Sequence, residues 1–404
     1  MSDFERGKYY NKKKYSNRDR NESKSSYNNR FFNKSIYNPD KDGNDGGDKK
    51  MKQPQIMIKT RDKAEEHATS PKVVQKEIAE VASKPDVVKK DMTKSAKLLE
   101  DGFFFADDVQ EFLTDNSDFL VVGIVGPQTV GKSSIMSFLA SDKFSKKFQN
   151  QFQVAENAMC HKHNDVEAMF RQATTDDIET LTNATSGIDI FITENRLILL
   201  DSQPFQSVSA ENAGELQNLQ HVAFLMSVCH LLIFTQDFFL DINHVRFLQT
   251  AEMLKPTISN NEEEYSEQFP HLMLLHNKAQ LEDFQPKKFK IMQNFYKEIF
   301  KTSKMNLQSG LGMHNTKNTG SMKLDEHVEN FNLFLLPDLN DANPNDLTKF
   351  EELIKILRNN ISGLTKHAMT HVQLTEKTWL VYGAKAFDHI KKSTFYLEYK
   401  KLLP

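Results

Sequence analysis

The chain has 404 residues, with 52 Lys or Arg against 55 Asp or Glu and a formal net charge of −3. Its mean hydropathy of −0.58 is low for a chain that folds throughout, so a disordered portion is expected. Two cysteines exclude a disulfide framework and favour a reducing, cytoplasmic compartment. Neither a secretion signal nor a run of about 18 apolar residues is present, so no membrane contact is expected.

Residues 1–95 are predicted to form a disordered polar tail, because they hold too few apolar side chains to offset the entropy of ordering. Residues 1–60 contain 15 Lys or Arg and 8 Asp or Glu, so a basic tail precedes an acidic body. Arg, Lys and Tyr alternate at residues 6–10, a pattern that suits RNA phosphates and bases. A solvated tail without RNA contact is the other interpretation, and both remain open.

A phosphate-binding loop is the central motif of the remaining chain. The apolar run 119–125 predicts a buried parallel strand, and residues 126–133 fit the pattern G-x-x-x-x-G-K-[ST] directly after it. Such a loop points backbone N–H groups at phosphate oxygens, the lysine reaches the β- and γ-phosphates, and the serine can ligate Mg²⁺. The residues expected to bind nucleotide here are Gly126, Gln128, Thr129, Val130, Gly131, Lys132, Ser133 and Ser134.

Apolar and amphipathic segments alternate after the loop, which predicts strands and helices in turn. A helix is expected over 96–117, a hairpin over 186–201, and a last helix over 375–403. We therefore predict an α/β domain over 96–404: a G-domain-like, mostly parallel sheet with one antiparallel edge strand and helices on both faces. Polar stretches at 141–184 and 302–328 are predicted insertions.

Two further motifs bear on Mg²⁺ and the γ-phosphate. A G-domain strand should end in Asp-x-x-Gly, whereas residues 201–204 read Asp-Ser-Gln-Pro. Asp201 is in place for Mg²⁺, but Pro204 has no N–H to donate to a γ-phosphate. Thr185 is the candidate for the switch threonine, so Ser133, Thr185 and Asp201 form the predicted Mg²⁺ site. Gln203 has an uncertain position and is not assigned to a water.

The base-reading motif Asn-Lys-x-Asp is also incomplete. Asn277 and Lys278 fit it, but Gln280 stands where a carboxylate accepts hydrogen bonds from guanine. A neutral amide weakens the preference for guanine over adenine, so GDP/GTP and ADP/ATP are both candidate ligands. A metal site at Cys160, His161 and His163 is disfavoured, because no second ligand cluster accompanies these residues.

Taken together, these stretches resemble the SMG nine subunit family of nonsense-mediated mRNA decay over roughly 98–404. The resemblance implies a nucleotide-binding subunit that forms a heterodimer with the SMG eight subunit. It also implies docking on the SMG one kinase, which phosphorylates the decay helicase in mRNA surveillance. The residues that carry it are the phosphate loop with 121–123, and residues 185–189, 200–204, 227–230, 236–237, 246–256, 277–279, 282–284 and 374–379.

The sequence thus predicts a non-catalytic regulatory or scaffold subunit, a pseudo-GTPase in which Pro204 and Gln280 depart from the active pattern. An active GTPase whose output is hydrolysis is the alternative. A small-molecule kinase of the same fold class is a third interpretation. It is disfavoured because a kinase lid is rich in arginine, and Arg171 is the only arginine in residues 141–186.

Overall fold

The computed structural model describes residues 90–141, 168–207, 212–237, 239, 241–255, 268–313, 330–339 and 344–402. The chain divides into two units, Met1–Val81 and Ala82–Pro404, and every described residue belongs to the second. Most of the predicted tail, the candidate metal residues 160–163, and much of both predicted insertions therefore lie outside the described residues.

One sheet is formed by the strands of the described residues, in the order β2-β1-β4-β5-β3-β6-β7-β8. Their bounds are β1 (Ala96–Glu100), β2 (Phe103–Phe104), β3 (Leu120–Val125), β4 (Ile188–Ile192), β5 (Leu197–Ser202), β6 (Leu231–Gln236), β7 (His271–Ala279) and β8 (Leu333–Pro337).

The helices of the described residues cover the sheet. None of them combines the length and the apolar character that crossing a membrane requires. Their bounds are α1 (Asp107–Gln110), α2 (Lys132–Ala140), α3 (Thr175–Glu179), α4 (Asn212–Val228), α5 (Ile242–Leu254), α6 (Pro286–Ile299), α7 (Pro344–Ser362), α8 (Glu376–Lys392) and α9 (Thr394–Leu402), with a 3-10 turn at Leu281–Phe284.

Strand β3 lies inside the parallel part of the sheet, with parallel neighbours on both sides. It pairs in parallel with β5 on one side and with β6 on the other, and β7 and β8 continue the parallel array. All six residues of β3 are buried, as the apolar run predicts. The chain continues from β3 to β4 and β5 on one side of it and then crosses to β6, β7 and β8 on the other side, so the loop after β3 lies at the topological switch point. The mostly parallel, G-domain-like fold expected from the sequence is confirmed.

Two details of the sheet differ from expectation. Strand β4 is antiparallel to β5 as predicted, but it is not at the edge, because β1 pairs with its other side and β2 extends the sheet further. The helix predicted over 96–117 is correspondingly wrong, and only α1 is helical there. The physical reason is a tertiary contact. The free edge of β4 offers unpaired backbone N–H and C=O groups, and residues 96–100 hydrogen-bond to them as a strand although their apolar spacing also suits a helix.

The predicted last helix, 375–403, is also two helices rather than one. Residue Ser393 separates α8 from α9 with a non-helical ψ of 131°. Helix α8 packs on α4, where Trp379 is buried and its indole Nε1 donates to the carbonyl of Val228 at 2.9 Å. The apolar stripe of this helix, including Phe387 and Ile390, therefore belongs to the core of the chain.

Candidate functional site

The phosphate loop connects β3 to α2 in a conformation that requires its glycines. Gly131 precedes α2 with a φ of 89°, in the left-handed region that glycine adopts at little cost. A Cβ added to Gly126 would lie 2.3 Å from the carbonyl oxygen of Thr235 in β6, so a side chain does not fit there. The strand, loop and helix context predicted from the motif is thus present, with the amino end of α2 facing the loop.

The loop lysine is folded back on its own backbone. Lys132 Nζ donates to the carbonyl of Pro127 at 2.8 Å, and the residue is only 7% exposed. Burial lowers the pKa of Lys132 to about 8, while the carboxylate of Asp201 opposes the shift. The side chain is therefore mostly cationic at neutral pH and is held where a phosphate oxygen would offer it a stronger, charged partner.

The three predicted Mg²⁺ residues meet at one point although they come from separate stretches. Ser133 Oγ donates to Asp201 Oδ2 at 2.6 Å, and Thr185 Oγ1 donates to the same oxygen at 3.2 Å. Asp201 is fully buried, its Oδ1 has no hydrogen-bond partner among the described residues, and burial raises its pKa to about 6. A carboxylate and two hydroxyls are hard oxygen ligands, so the set fits a divalent cation such as Mg²⁺.

The Asn-Lys pair at the end of β7 supports the loop from behind. Asn277 Nδ2 donates to the carbonyl of Val130 at 2.9 Å, and Lys278 Nζ donates to the carbonyl of Thr129 at 3.1 Å. Lys278 has a φ of 55°, within an irregularity of β7 pairing that follows His276. Val130, predicted as a binding residue, buries its side chain in the core and reaches the site only through its backbone.

No carboxylate replaces the missing aspartate at the base position. Gln280 is exposed, and its backbone N–H donates to Asp283 Oδ2 at 2.8 Å. The other oxygen of Asp283 forms an ion pair with Lys288 at 2.6 Å. Asp283 is therefore engaged in capping the 3-10 turn and in a surface ion pair, and it does not point to a nucleotide base.

The described part of the loop after β5, residues 203–207, has a proline at the position where the Asp-x-x-Gly pattern places its N–H donor. Pro204 lines the cavity beside the phosphate loop and has no N–H. Gln203 is used structurally: its Oε1 accepts from the N–H of Gly187 at 2.6 Å, and its Nε2 donates to Asn218. The side chain whose role the sequence left unassigned is therefore not free to orient a water.

The segment before Thr185 forms one wall of the cavity, which measures about 280 Å³. Sequence reasoning assigned no role to this polar stretch and missed its contributions. The only local signal was the Thr174-x-x-Asp177 capping box, which starts α3. Gln128 Nε2 donates to the carbonyl of Thr182 at 3.2 Å, and Ser134 Oγ donates to Gln172 Oε1. The missed wall residues are Gln172, Ala173, Ile178 and Thr182.

No family model matches the sequence. Among solved structures, one similarity is to translation elongation factor SelB from Methanococcus maripaludis in complex with the GTP analogue GppNHp. It has 12% identity and a TM-score of 0.27, and it covers 63% of this chain and 37% of that chain. A score this low does not define a shared fold.

Curated relatives give a stronger result. The chain is 32% identical over 358 residues to nonsense-mediated mRNA decay factor SMG9 of Salmo salar, covering 77% of this chain and 68% of the relative. It is 31% identical to the Xenopus tropicalis protein of the same name, covering 77% and 67%. It is 27% identical to Protein SMG9 of Drosophila melanogaster, covering 73% and 58%. With identity above 30% across two thirds of these vertebrate proteins, the chain belongs to the SMG9 family of nonsense-mediated mRNA decay factors.

Proposed function

We propose that this chain is a regulatory or scaffold subunit of the kinase complex of nonsense-mediated mRNA decay, and that it binds nucleotide without hydrolysing it efficiently. The observation that carries the proposal is an imbalance within one site. The residues proposed to hold phosphate and cation lie together, whereas the position where a G-domain senses the γ-phosphate is Pro204. Family membership supports the place in mRNA decay.

In this proposal the backbone of residues 126–133 and the ammonium of Lys132 hold the phosphates of a nucleoside di- or triphosphate. Ser133, Thr185 and Asp201 hold Mg²⁺, directly or through water, and the unpaired Oδ1 of Asp201 supports this assignment. Mg²⁺ would supply charge neutralisation between phosphate oxygens. Burial of Asp201 without a cation raises its pKa, so a bound cation would favour the ionised form that the ligand set needs.

The nucleotide is GDP/GTP or ADP/ATP, with little discrimination between the bases. Neither Asn277 nor Gln280 lines the cavity beside the loop, whereas Lys278 does. The cavity is thus suited to the phosphates, and the base would lie outside it against the Lys278 side of the loop. Without a carboxylate at position 280, guanine loses the acceptor for its N1 and N2 groups.

Slow or absent hydrolysis follows from two neighbouring residues. Pro204 cannot donate an N–H to the developing charge on a γ-phosphoryl group, and Gln203 is hydrogen-bonded to Gly187 and Asn218. An active GTPase would need another group for each role. The alternative function, an active GTPase, therefore predicts nucleotide hydrolysis to which neither Pro204 nor Gln203 would contribute a group.

The proposed partners are the SMG eight subunit, as a heterodimer, and the SMG one kinase, through which the subunit controls phosphorylation of the decay helicase in the cytoplasm. The sheet supports an interface: β2 is a short edge strand, and Phe103 on it is 70% exposed. Exposed aromatic side chains are enriched at interface centres. The full chain should gain thermal stability when it is co-purified with the SMG eight subunit. An unchanged melting temperature in the complex would contradict a stable heterodimer.

Mass spectrometry of nucleotide released from the denatured protein tests the proposal. We expect a co-purified nucleoside di- or triphosphate, and Lys132→Ala should weaken its affinity by about 2 kcal/mol through loss of a charge-assisted contact. Equal affinity in the variant would show that the loop does not bind phosphate. Single-turnover hydrolysis faster than about 0.01 per second, typical of G proteins that carry their own arginine, would favour the active GTPase instead.

A further inference from the structure

A second cavity lies at the opposite edge of the sheet from the phosphate loop. It has a volume of about 610 Å³, within the range of about 300–1,000 Å³ typical of small-molecule sites. It is formed where β3 begins, just before β6, and by the segment that joins α7 to α8. We call it the amino-edge cavity, and its chemically informative lining residues are Asp118, Phe119, His230, Lys366, His367 and His371.

The tautomer of His230, which lines this cavity, is fixed by a backbone hydrogen bond. The backbone N–H of Val121 donates to His230 Nδ1 at 3.0 Å, so that nitrogen must be the unprotonated one. The backbone of His230 in turn donates to the carbonyl of Val121 at 2.9 Å, which holds the residue against the start of β3. In the neutral ring the proton is therefore on Nε2. His230 is partly exposed and lines the cavity, so this N–H is the donor that the neutral ring can offer to a ligand.

Lys366 is the one lysine or arginine among the described residues that line this cavity. Burial lowers the pKa of His230 to about 3, and Lys366, His271 and His367 each contribute in the same direction. His271 stacks on His367 with ring centroids 4.6 Å apart, and its Nε2 lies 3.1 Å from the carbonyl of Thr365. The single carboxylate among the lining residues is Asp118, which pairs with Lys366. An anion that displaced Asp118 would meet Lys366, and His230 lines the same cavity.

An apolar surface accompanies these polar groups. Phe119 lies edge-on to His230 at 5.9 Å and to the buried Trp379 at 6.4 Å, so the ring is held from behind by the core. The other apolar lining residues are Ala368, Met369, Val372 and Leu374. Concave sites that combine an apolar wall with a few convergent polar groups are those that bind organic ligands.

We propose that the amino-edge cavity binds a small organic anion, with its oxyanion between Lys366 and the Nε2–H of His230 and its apolar body against Phe119. The site is independent of the nucleotide site, which lies at the other edge of the sheet. It also gives a role to the stretch 227–230, which carries part of the family resemblance and has no part in phosphate binding.

Calorimetric titration of the full chain with three matched probes tests this proposal. Phenylacetate and phenyl phosphate present a carboxylate and a phosphate on the same ring, and phenylacetamide has the size of phenylacetate without its charge. We expect binding of at least one anion and at least tenfold weaker binding of phenylacetamide. The stronger of the two anions identifies the oxyanion. No binding of either anion at about 10 mM, or equal binding of the amide, would overturn the proposal.

Two surface variants should act in opposite directions. Lys366→Gln removes the cation and should weaken the anion about tenfold, whereas Asp118→Asn removes the competing carboxylate and should tighten it. The side chain of Asp118 is 89% exposed and that of Lys366 is 35% exposed, so neither substitution leaves a fully buried charge without its partner. The control is Lys377→Gln, whose lysine pairs with Asp115 at 3.0 Å and does not line the cavity. An effect of Lys377→Gln as large as that of Lys366→Gln would contradict a specific site.

The nucleotide site serves as the last control. Lys132→Ala should leave binding of the anion unchanged, because Lys132 lines the other cavity. If that variant abolished anion binding, the probe would be binding at the phosphate loop, and the proposal would fail. Loss of nucleotide binding with retained anion binding would instead separate the two sites.

Discussion

The side-chain amide of Asn277, near the end of β7, donates a 2.9 Å hydrogen bond to the carbonyl of Val130 in the phosphate loop. The approach is close enough that a Cβ on Gly131 would lie 2.5 Å from the same amide nitrogen. Strand β7 therefore holds the loop in its curled form before any ligand binds. Because the loop is already ordered, nucleotide binding costs less conformational entropy.

Asn277→Ala should weaken nucleotide binding because it leaves the carbonyl of Val130 without its partner and releases the loop. The loss of one such hydrogen bond costs about 1–3 kcal/mol, so an affinity loss of about tenfold or more is expected in a fluorescent-nucleotide titration. Asn294→Ala is the control, since Asn294 is exposed and does not line the cavity beside the loop. Unchanged affinity in the Asn277 variant would show that the loop is stable without this support.

Base selectivity should respond to position 280. In competition titrations the parent chain should bind GTP and ATP within about tenfold of each other, a difference of about 1.4 kcal/mol. Gln280→Asp should shift the preference toward GTP, because a carboxylate accepts hydrogen bonds from guanine N1 and N2. Gln280→Asn is the matched control, because asparagine has the same length as aspartate but carries no charge. A thousandfold preference of the parent for GTP would show that another group reads the base.

A buried ion pair at the amino edge should dominate local stability. Glu376 at the start of α8 is fully buried, and it accepts from Arg196 Nε at 2.6 Å and from the backbone N–H of Thr114 at 2.8 Å. Glu376→Gln leaves the guanidinium of Arg196 without its counter-charge, so urea unfolding should show a loss of about 3–5 kcal/mol.

An exposed ion pair on the same helix serves as the comparison for the buried pair. Lys377→Gln breaks the pair with Asp115, and it should cost less than about 1 kcal/mol because solvent screens that pair. The double variant Arg196→Met with Glu376→Met should recover part of the loss, since no buried charge then remains unpaired. Equal destabilisation by the two single variants would contradict the special role of burial.

The free energy of unfolding should decrease as the pH falls, partly because of His221. It is buried in α4 with neither ring nitrogen hydrogen-bonded among the described residues, and burial lowers its pKa to about 3. Below the unfolded pKa of about 6.5, the unfolded chain binds a proton that the folded chain does not. The contribution of His221 is therefore fully present above pH 6.5 and decreases by about 1.4 kcal/mol per pH unit as the pH falls toward 3.

His221→Leu should remove this slope and raise stability near pH 6, as measured by urea midpoints between pH 7.5 and 5. Asp201 acts in the opposite direction, because its pKa is raised to about 6 and the folded chain takes up its proton first as the pH falls. His230, with a pKa of about 3, has the same sign as His221 and remains in the variant. An unchanged slope in His221→Leu would show that this imidazole titrates normally.

Much of the phosphate side of the site was predictable from sequence because its residues are contiguous. Residues 126–133 form a loop whose backbone requires glycine and then start a helix. Both features depend on residues that are adjacent in the sequence. The parallel strands were predictable for a similar reason: β3 and β6 are buried on both faces and read as unbroken apolar runs. The departures of Pro204 and Gln280 from the G-domain motifs were also visible in the sequence, since each replaces one residue at a fixed position of its motif.

The remaining features depend on contacts between distant parts of the chain. Strand β1 forms because β4 has an edge to pair with, and its own apolar spacing suits a helix equally well. The capping box at Thr174 and Asp177 marks a helix start but not a cavity wall, and the amino-edge cavity has no periodic or motif signal in the sequence. The side chains that line the two cavities acquire a role only when the sheet brings the ends of its strands together, at one edge around Asp201 and at the other around His230. Local patterns specify individual elements, whereas pairing and packing between elements decide which surfaces become sites.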